Sequence, residues 1–407
     1  MFEALEIIPR EELEIRWNRL RELLDKYQPE SQGILLLSRV RIYWASGHFG
    51  TGMFWLPKEG EPYLFIRKGI ERAKIESLVK NIFSYRSFSD VFKILEDDNN
   101  PLPNVFSVEM DGVLWSTGRL MEKKFQAKKL LSGDFVINAA CAKKTSWELE
   151  KIKLAGKRHY QGICEIVPKK IKPNMSEREI GEVVLDTYMS LGHSGIIRMQ
   201  GAYEELFIGH ISAGDSGIYP TCFNGPVGGR GIHAAVPHFG YSGKVWKEKE
   251  ILMVDTVFSL EGYQTDKSQV FFAGKEKDMP REIKRAQEFC LMVQTECAKM
   301  LVPGQCPENL YLFATQLAKK YGFEDGFMGL SGNKVPFIGH GLGLYLNEWP
   351  PIAKKFIQPF EENMVIALEP KVGIDGVGMV GVENTFLVTP SGGVSLTGDN
   401  FDVIFIE

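Results

Sequence analysis

The order of hydrophobic and polar positions predicts two β-hairpins late in the chain. In residues 251–266, two apolar strands flank a turn near residues 260–262. In residues 364–383, two further apolar strands flank a turn near residues 375–376. Strands and helices alternate over roughly the first 140 residues, and this alternation predicts a compact α/β domain there.

Helical periodicity adds a faint internal repeat to the second part of the chain. Each hairpin is preceded by a predicted pair of helices. The residues that close these helices recur at equal spacing, as Pro173 and Gly192 and then as Pro303 and Gly322. We therefore expect a duplicated helix-helix-hairpin unit with pseudo-twofold symmetry. We place the domain boundary so that one domain spans residues 1–145 and the other spans residues 146–407.

Each predicted hairpin carries two acids among apolar residues. Folding about the turns is expected to place Asp255 opposite Asp266, and Glu369 opposite Glu383. Like charges that face each other with Cβ atoms about 5 Å apart repel. A single acid in a strand is ordinarily an edge or surface residue, but two opposed pairs with apolar flanks are hard to explain structurally, and buried carboxylates need a partner.

His340 lies between the two hairpins, in the glycine-rich stretch 338–343. That stretch lacks the Lys-Ser/Thr pair of a phosphate-binding loop. Most isolated histidines have a structural role, but the position of His340 between the acids favours a ligand. Four carboxylates and one imidazole can hold two divalent cations, and such a donor set suits Mn, Fe, Co or Zn without choosing among them. A further histidine, His238, precedes Asp255, and the residues alone leave its role open between it and the nearby His233.

Composition and charge exclude several classes of function. The chain has 407 residues, a net charge of −4, 44% hydrophobic and 25% charged residues, which is ordinary for a soluble globular protein. The absence of a basic stripe argues against nucleic-acid binding. Neither a membrane-span-length apolar run nor a secretory leader is recognisable. The six cysteines contain no CxxC pair, so we expect reduced thiols and a cytoplasmic location.

The order of the candidate ligands resembles that of the pita-bread metallohydrolases, which include prolidase, Xaa-Pro aminopeptidase, methionine aminopeptidase and creatinase. The resemblance covers the whole chain and is carried by four short motifs: Pro237–His238, Gly339–Leu344, Ala367–Pro370 and Val382–Thr385. It implies an α+β fold. A C-terminal pita-bread domain with pseudo-twofold duplication would follow a smaller creatinase/prolidase-type N-terminal domain.

The same resemblance implies a dinuclear metal site. Asp255 would chelate one metal ion, His340 with Glu369 would hold the other, and Asp266 and Glu383 would bridge both. The implied activity is hydrolysis of a C–N (peptide) bond of a short peptide by a metal-bridging water, as in Xaa-Pro dipeptidases and aminopeptidases.

Two catalytic roles and an assembly also follow from the resemblance. Glu369 would act as general base for the water, and His238 would donate a hydrogen bond to the substrate or to the tetrahedral intermediate. In this family the smaller domain usually packs against a second subunit, so the resemblance also implies a homodimer.

The chain departs from the family pattern at three places. Proline-directed members carry a second histidine seven positions after the ligating one, and Asn347, a candidate substrate-binding residue, occupies that position here. The family arginine two positions before the last glutamate is Gly381, which we expect to remove a charge partner and to leave space. Ser268–Gln269 replaces a Thr-Arg pair. These changes leave two alternatives open: a creatinase-like hydrolase of a small non-peptide amide or amidine, and a non-catalytic relative.

Overall fold

The computed structural model describes residues 3–125, 128–201 and 205–407. These residues divide into two compact units, one formed by residues 3–125, 128–141 and 201 and the other by residues 142–200 and 205–407. In the described residues, no helix has both the length and the apolar character that crossing a bilayer requires.

The first unit is built on a six-stranded mixed sheet in the order β4-β3-β2-β1-β5-β6. Its strands are β1 (Gly33–Leu36), β2 (Gly52–Pro57), β3 (Tyr63–Ile66), β4 (Asn81–Ser84), β5 (Val105–Val108) and β6 (Lys129–Ser132). The helices in this part of the chain are α1 (Arg10–Tyr27), α2 (Arg39–Ser46), α3 (Ile70–Glu76), α4 (Phe88–Asp97), α5 (Trp115–Lys124) and α6 (Asp134–Ala142). The alternating order of strands and helices confirms the predicted α/β arrangement.

The four helices predicted from the repeat are all present in the second unit. They are α7 (Ser146–Tyr160), α8 (Glu177–Ser190), α9 (Arg281–Lys299) and α10 (Pro307–Tyr321). Capping boxes begin the first two, because the hydroxyls of Thr145 and Ser176 accept from backbone amides three residues on, while Glu148 and Glu179 reach back.

The strands of the second unit form three groups. One sheet has the order β16-β9-β8-β7, a second has the order β10-β11-β14-β15, and β12 pairs with β13 alone. The bounds are β7 (Gly209–Ala213), β8 (Ile251–Leu260), β9 (Tyr263–Ala273), β10 (Gly339–Gly341), β11 (Val365–Leu368), β12 (Lys371–Ile374), β13 (Gly378–Gly381), β14 (Asn384–Thr389), β15 (Gly392–Ser395) and β16 (Ile404–Ile406).

The first predicted hairpin is confirmed, but its predicted register is wrong. Strands β8 and β9 are joined by Glu261 and Gly262, both at positive φ (52° and 88°). This two-residue turn places Asp255 opposite Ser268 rather than opposite Asp266. Because side chains two residues apart share a face, Asp255 and Asp266 still project to the same side of the sheet, diagonally across the hairpin.

The second predicted hairpin is more elaborate than expected. A hairpin does turn at residues 375–376, but it joins β12 to β13, whereas β11 pairs with β10 and β14. Strands β11 and β12 nevertheless form one arm of the predicted hairpin and β13 and β14 form the other, with an interruption at the acids. The pairs Leu368–Asn384 and Lys371–Gly381 belong to one continuous register, which places Glu369 opposite Glu383 as predicted.

The two halves of the second unit meet at the acids. The Ser268 amide donates to the Glu383 carbonyl (3.1 Å). The Asp266 amide donates to the Thr385 hydroxyl, which in turn donates to the Asp266 carbonyl, both at 2.9 Å. These bonds hold β9 against the start of β14 and bring the acid-bearing strands together.

Candidate metal centre

The structure gathers three carboxylates around the His340 imidazole. His340 Nε2 lies 3.8 Å from Asp266 Oδ2, 3.8 Å from Glu369 Oε1 and 3.9 Å from Glu383 Oε1. All three acids are buried and His340 is half-buried. Asp266 and His340 lie in β9 and β10, Glu369 directly follows β11, and Glu383 directly precedes β14, so the paired strands set the positions of the donors.

Local backbone packing orients the imidazole. His340 Nδ1 lies 3.1 Å from the Gly341 carbonyl oxygen, which can only accept, so Nδ1 donates there and Nε2 faces the acids. A Cβ at Gly339 would lie 2.1 Å from the Ala367 oxygen, and one at Gly341 would lie 2.4 Å from the Trp349 oxygen. The glycines beside His340 therefore permit the close backbone approach that the sequence suggested.

These donors fit a divalent cation. Ligand atoms of Asp266, His340 and Glu383 lie within 4.8 Å of one another, and Glu369 adds a further oxygen beside the imidazole. First-row cations bind nitrogen and oxygen at about 2.0–2.2 Å, so two ligands of one ion can lie up to about 4.2 Å apart. The separations of 3.8 and 3.9 Å from His340 Nε2 fall inside that limit.

A buried lysine occupies the other side of the acids. Lys371 Nζ lies 3.4 Å from Asp255 Oδ2, 3.2 Å from Glu369 Oε2 and 2.5 Å from Glu383 Oε2. Its side chain is 0% exposed. The sequence analysis did not identify this residue. The available signal was its position, because a side chain two residues after Glu369 on extended backbone points to the same face.

The charges in the centre perturb one another strongly. Burial and then the charge of Asp255 raise the pKa of Asp266 well above its usual range. Burial and then the charges of Asp266 and Glu369 raise the pKa of Glu383 in the same way. Burial acts to lower the pKa of Lys371, but the nearby carboxylates outweigh it and raise that pKa well above its usual range. Because the clustered carboxylates repel one another, binding of a cation between them is favourable.

The expectation that Gly381 leaves space is wrong. A Cβ there would lie 2.5 Å from the Pro370 carbonyl oxygen and 2.6 Å from Lys371 Cα, at a φ of +143°. The Gly381 amide also donates to Gln287 Oε1 (2.9 Å). The backbone of β12 fills the position, and Lys371 is the cross-strand neighbour of Gly381.

His238 lies in a small aromatic cluster beside β7. Its ring is 6.0 Å from that of His210 and 5.9 Å from that of Phe223, and its Nδ1 is buried without a hydrogen-bond partner among the described residues. Burial lowers its pKa, so the ring is neutral at pH 7. His210, which the sequence analysis did not single out, pairs with Asp255 across β7 and β8, and burial lowers its pKa to about 4.

Asn347 is engaged with the backbone. Its Oδ1 accepts from the Gln200 amide at 2.6 Å, and its Nδ2 donates to the Gln200 carbonyl at 3.3 Å. The side-chain amide of Asn347 therefore binds the backbone of Gln200. Ser268, the other altered position, lies opposite Asp255, and its hydroxyl has no hydrogen-bond partner within residues 3–125, 128–201 and 205–407.

Comparison with protein families identifies this arrangement. Residues 150–390, more than half of the chain, match metallopeptidase family M24. The chain belongs to metallopeptidase family M24. Residues 16–140 match the creatinase/prolidase N-terminal domain, so this M24 chain has the two-domain composition and the α+β fold that its sequence predicted. It is a metal-dependent peptidase.

Individual relatives agree with the family. This M24 chain is 25% identical to the Xaa-Pro dipeptidase of Pyrococcus furiosus over 92% of its own length and 97% of that protein. The prolidase structure from Pyrococcus horikoshii OT3 aligns with a TM-score of 0.76 at 21% identity, covering 96% and 99% of the two chains. The X-Pro aminopeptidase structure from Thermotoga maritima aligns with a TM-score of 0.74 at 21% identity, with the same coverage.

Proposed function

We propose that this M24 peptidase hydrolyses short peptides at an Xaa-Pro bond. The carrying observation is the buried donor set in which three carboxylate oxygens lie within 3.9 Å of His340 Nε2. The substrate class is supported by the Xaa-Pro dipeptidase relatives, which align along nearly the whole chain. We include specificity for proline in the proposal although position 347 lacks the family histidine.

The residues of the centre have distinct roles in this proposal. A bound divalent cation would polarise the scissile carbonyl and lower the pKa of a water molecule. Asp266, His340, Glu369 and Glu383 would hold that cation. Glu369 would also accept the proton of the attacking water, because its carboxylate has one oxygen toward His340 and the other toward Lys371.

His238 would recognise the substrate. Its neutral ring carries one N–H donor and one acceptor, and it is half-buried, so a peptide carbonyl can reach it without the cost of moving a charge. A His238→Gln variant would keep a donor in nearly the same volume, whereas His238→Ala would remove it. We expect turnover to fall further in the alanine variant.

The test loads the chelator-treated protein with Mn, Co, Fe or Zn separately and supplies a pool of Xaa-Pro and Xaa-Ala dipeptides and tripeptides. Products are read by mass spectrometry. The proposal expects release of the N-terminal residue from Xaa-Pro substrates by at least one metal form. Asp266→Ala should abolish turnover, and Asp375→Ala, an exposed acid at the β12–β13 turn, should retain it. Cleavage that ignores proline would contradict the substrate assignment.

A creatinase-like activity on a small non-peptide amide or amidine is the second candidate. The observation that favours it is Asn347, whose amide is bonded to the Gln200 backbone where proline-directed members carry a second histidine. Adding creatine to the same substrate pool separates the two candidates. A healthy rate on Xaa-Pro dipeptides with no conversion of creatine would eliminate this one, and no turnover of any substrate would favour the non-catalytic alternative.

The proposal also covers the metal, the assembly and the location of the protein. We propose Mn as the first metal to test, because a carboxylate-rich donor set with one imidazole suits a hard cation. The proposed assembly is a homodimer, to be measured by light scattering after gel filtration, and the proposed location is cytoplasmic.

A further inference from the structure

Lys371 lies where a second cation would have to bind. Its ammonium contacts oxygens of Asp255, Glu369 and Glu383, at distances of 3.4, 3.2 and 2.5 Å. These are hydrogen-bonding or ion-pair distances for an ammonium. The side chain is fully buried, so it has no route to solvent that leaves the surrounding strands in place.

The backbone holds the lysine in this position. Lys371 begins β12, and its cross-strand partner is Gly381, whose missing side chain leaves room only for the β12 backbone and the lysine stem. The Met328 amide donates to the Lys371 carbonyl at 2.9 Å. Because Gly381 and Met328 hold the backbone at Lys371, strand β12 directs the ammonium at the acids.

The acids divide between two positive centres. Asp266 and Glu383 have oxygens near His340 Nε2, and Glu369 turns one oxygen to His340 and the other to Lys371. Asp255, in contrast, lies beside the ammonium and is not part of the donor group that surrounds the imidazole. A second metal ion on the Asp255 side would compete with Lys371 for the same oxygens, and two cations would then repel at contact distance.

We propose that this chain is a one-metal member of family M24, in which the Lys371 ammonium takes the place of the second metal ion. The single cation is held by Asp266, His340, Glu369 and Glu383, and Asp255 serves as a partner of the lysine. This inference takes from the proposed function only the requirement for a divalent cation, and it replaces the dinuclear arrangement that the family resemblance implied. Lys371 is a positioning residue, because it touches the carboxylates and is sealed from substrate.

The experiment counts metal ions rather than turnover. The chelator-treated full chain is loaded with Mn²⁺, desalted, and analysed by elemental mass spectrometry and native mass spectrometry. We expect one ion per wild-type chain and a paramagnetic resonance spectrum of an isolated Mn²⁺. Lys371→Ala, which removes the charge and opens the space, should bind two ions. Their spectrum should show magnetic coupling, as expected for ions about 3.5–4 Å apart.

Two further variants make the count decisive. Asp255→Asn should still bind one ion, whereas a dinuclear site would drop from two to one. Asp266→Asn should bind none and sets the baseline for loosely held ions. The matched control is Lys267→Ala, which removes another fully buried lysine whose Nζ donates to Asn384 Oδ1 (2.6 Å) rather than to a carboxylate. It should keep one ion.

Several results would overturn the proposal. Two ions or a coupled Mn²⁺ pair in the wild-type chain would do so, as would none. One ion in folded Lys371→Ala would show that the ammonium does not set the count. If that variant does not fold, the wild-type count still decides between one ion and two, and a fall in the count from wild type to Asp255→Asn would contradict the proposal. A chain that binds one ion and cleaves no peptide would refute the proposed substrate and leave this inference standing.

Discussion

The hydroxyl of Thr385 holds the backbone of Asp266 in place. It accepts from the Asp266 amide and donates to the Asp266 carbonyl, both at 2.9 Å, and Thr385 is fully buried. A Thr385→Val substitution keeps the shape of the side chain and removes both bonds. Neither backbone group of Asp266 can then reach water, because the residue is only 6% exposed.

The expected cost follows from these two unpaired groups. A buried donor or acceptor left without a partner costs about 1–3 kcal/mol, so the two groups together should cost Thr385→Val about 2–6 kcal/mol of unfolding free energy. A domain of this size loses roughly 2–4 °C in Tm per kcal/mol, which predicts a fall of roughly 4–24 °C. Loosening a ligand through its supporting hydrogen bonds typically costs about 10–100-fold in metal affinity.

The assay compares wild type, Thr385→Val and Thr389→Val. Thr389 is the control, because it lies on the same strand and its hydroxyl donates to the Gly392 carbonyl at the half-buried end of β14. Thermal unfolding is followed in chelator, and Mn²⁺ affinity is then measured by titration calorimetry. A Tm for Thr385→Val within 2 °C of wild type, with unchanged Mn²⁺ affinity, would refute the claim that this hydroxyl supports the ligand.

Three other predictions concern the second unit. Burial lowers the pKa of His193 from 6.5 to about 4. As pH falls, the unfolded chain therefore protonates His193 at a higher pH than the folded chain does. Unfolding free energy should therefore decline between about pH 6.5 and 4 by up to roughly 3 kcal/mol, and urea titrations of His193→Gln should show a shallower decline. Lys144→Met should cost about 3–5 kcal/mol by leaving buried Glu348 without its ammonium contact (2.7 Å), and a Lys144→Met/Glu348→Leu double variant should recover most of that loss in Tm. Restoring the family arginine by Gly381→Arg should give little soluble protein, because its Cβ would lie 2.5 Å from the Pro370 oxygen; a yield equal to wild type would contradict the packing described.

The sequence was sufficient to predict that Asp266, His340, Glu369 and Glu383 lie close together, although not that Lys371 lies among them. The apolar strands and their acids, the four helices of the repeat and the glycines around His340 all follow from local patterns that tertiary packing did not override. The error in the first hairpin came from the turn. Centring it on Glu261–Gly262, two residues at positive φ, would have placed Asp255 opposite Ser268, as the structure does.

Long-range packing explains what the sequence did not reveal. The pairing of β10 with β11 was not predicted, because β10 lies outside the hairpin and no local pattern specifies that contact. Gly381 was expected to leave space because a missing side chain was considered without the backbone that fills its place. Lys371 was overlooked because lysine is rarely buried, although its two-residue offset from Glu369 already predicted a shared face.

The contact between Ser268 and Glu383 has a consequence for the order of events during synthesis. More than a hundred residues separate these strands, so the ribosome must synthesise the chain beyond Glu383 before the pocket can close. Non-local closure of this kind is slow compared with helix formation. We therefore expect a nascent chain that ends before Glu383 to hold no ion at this site.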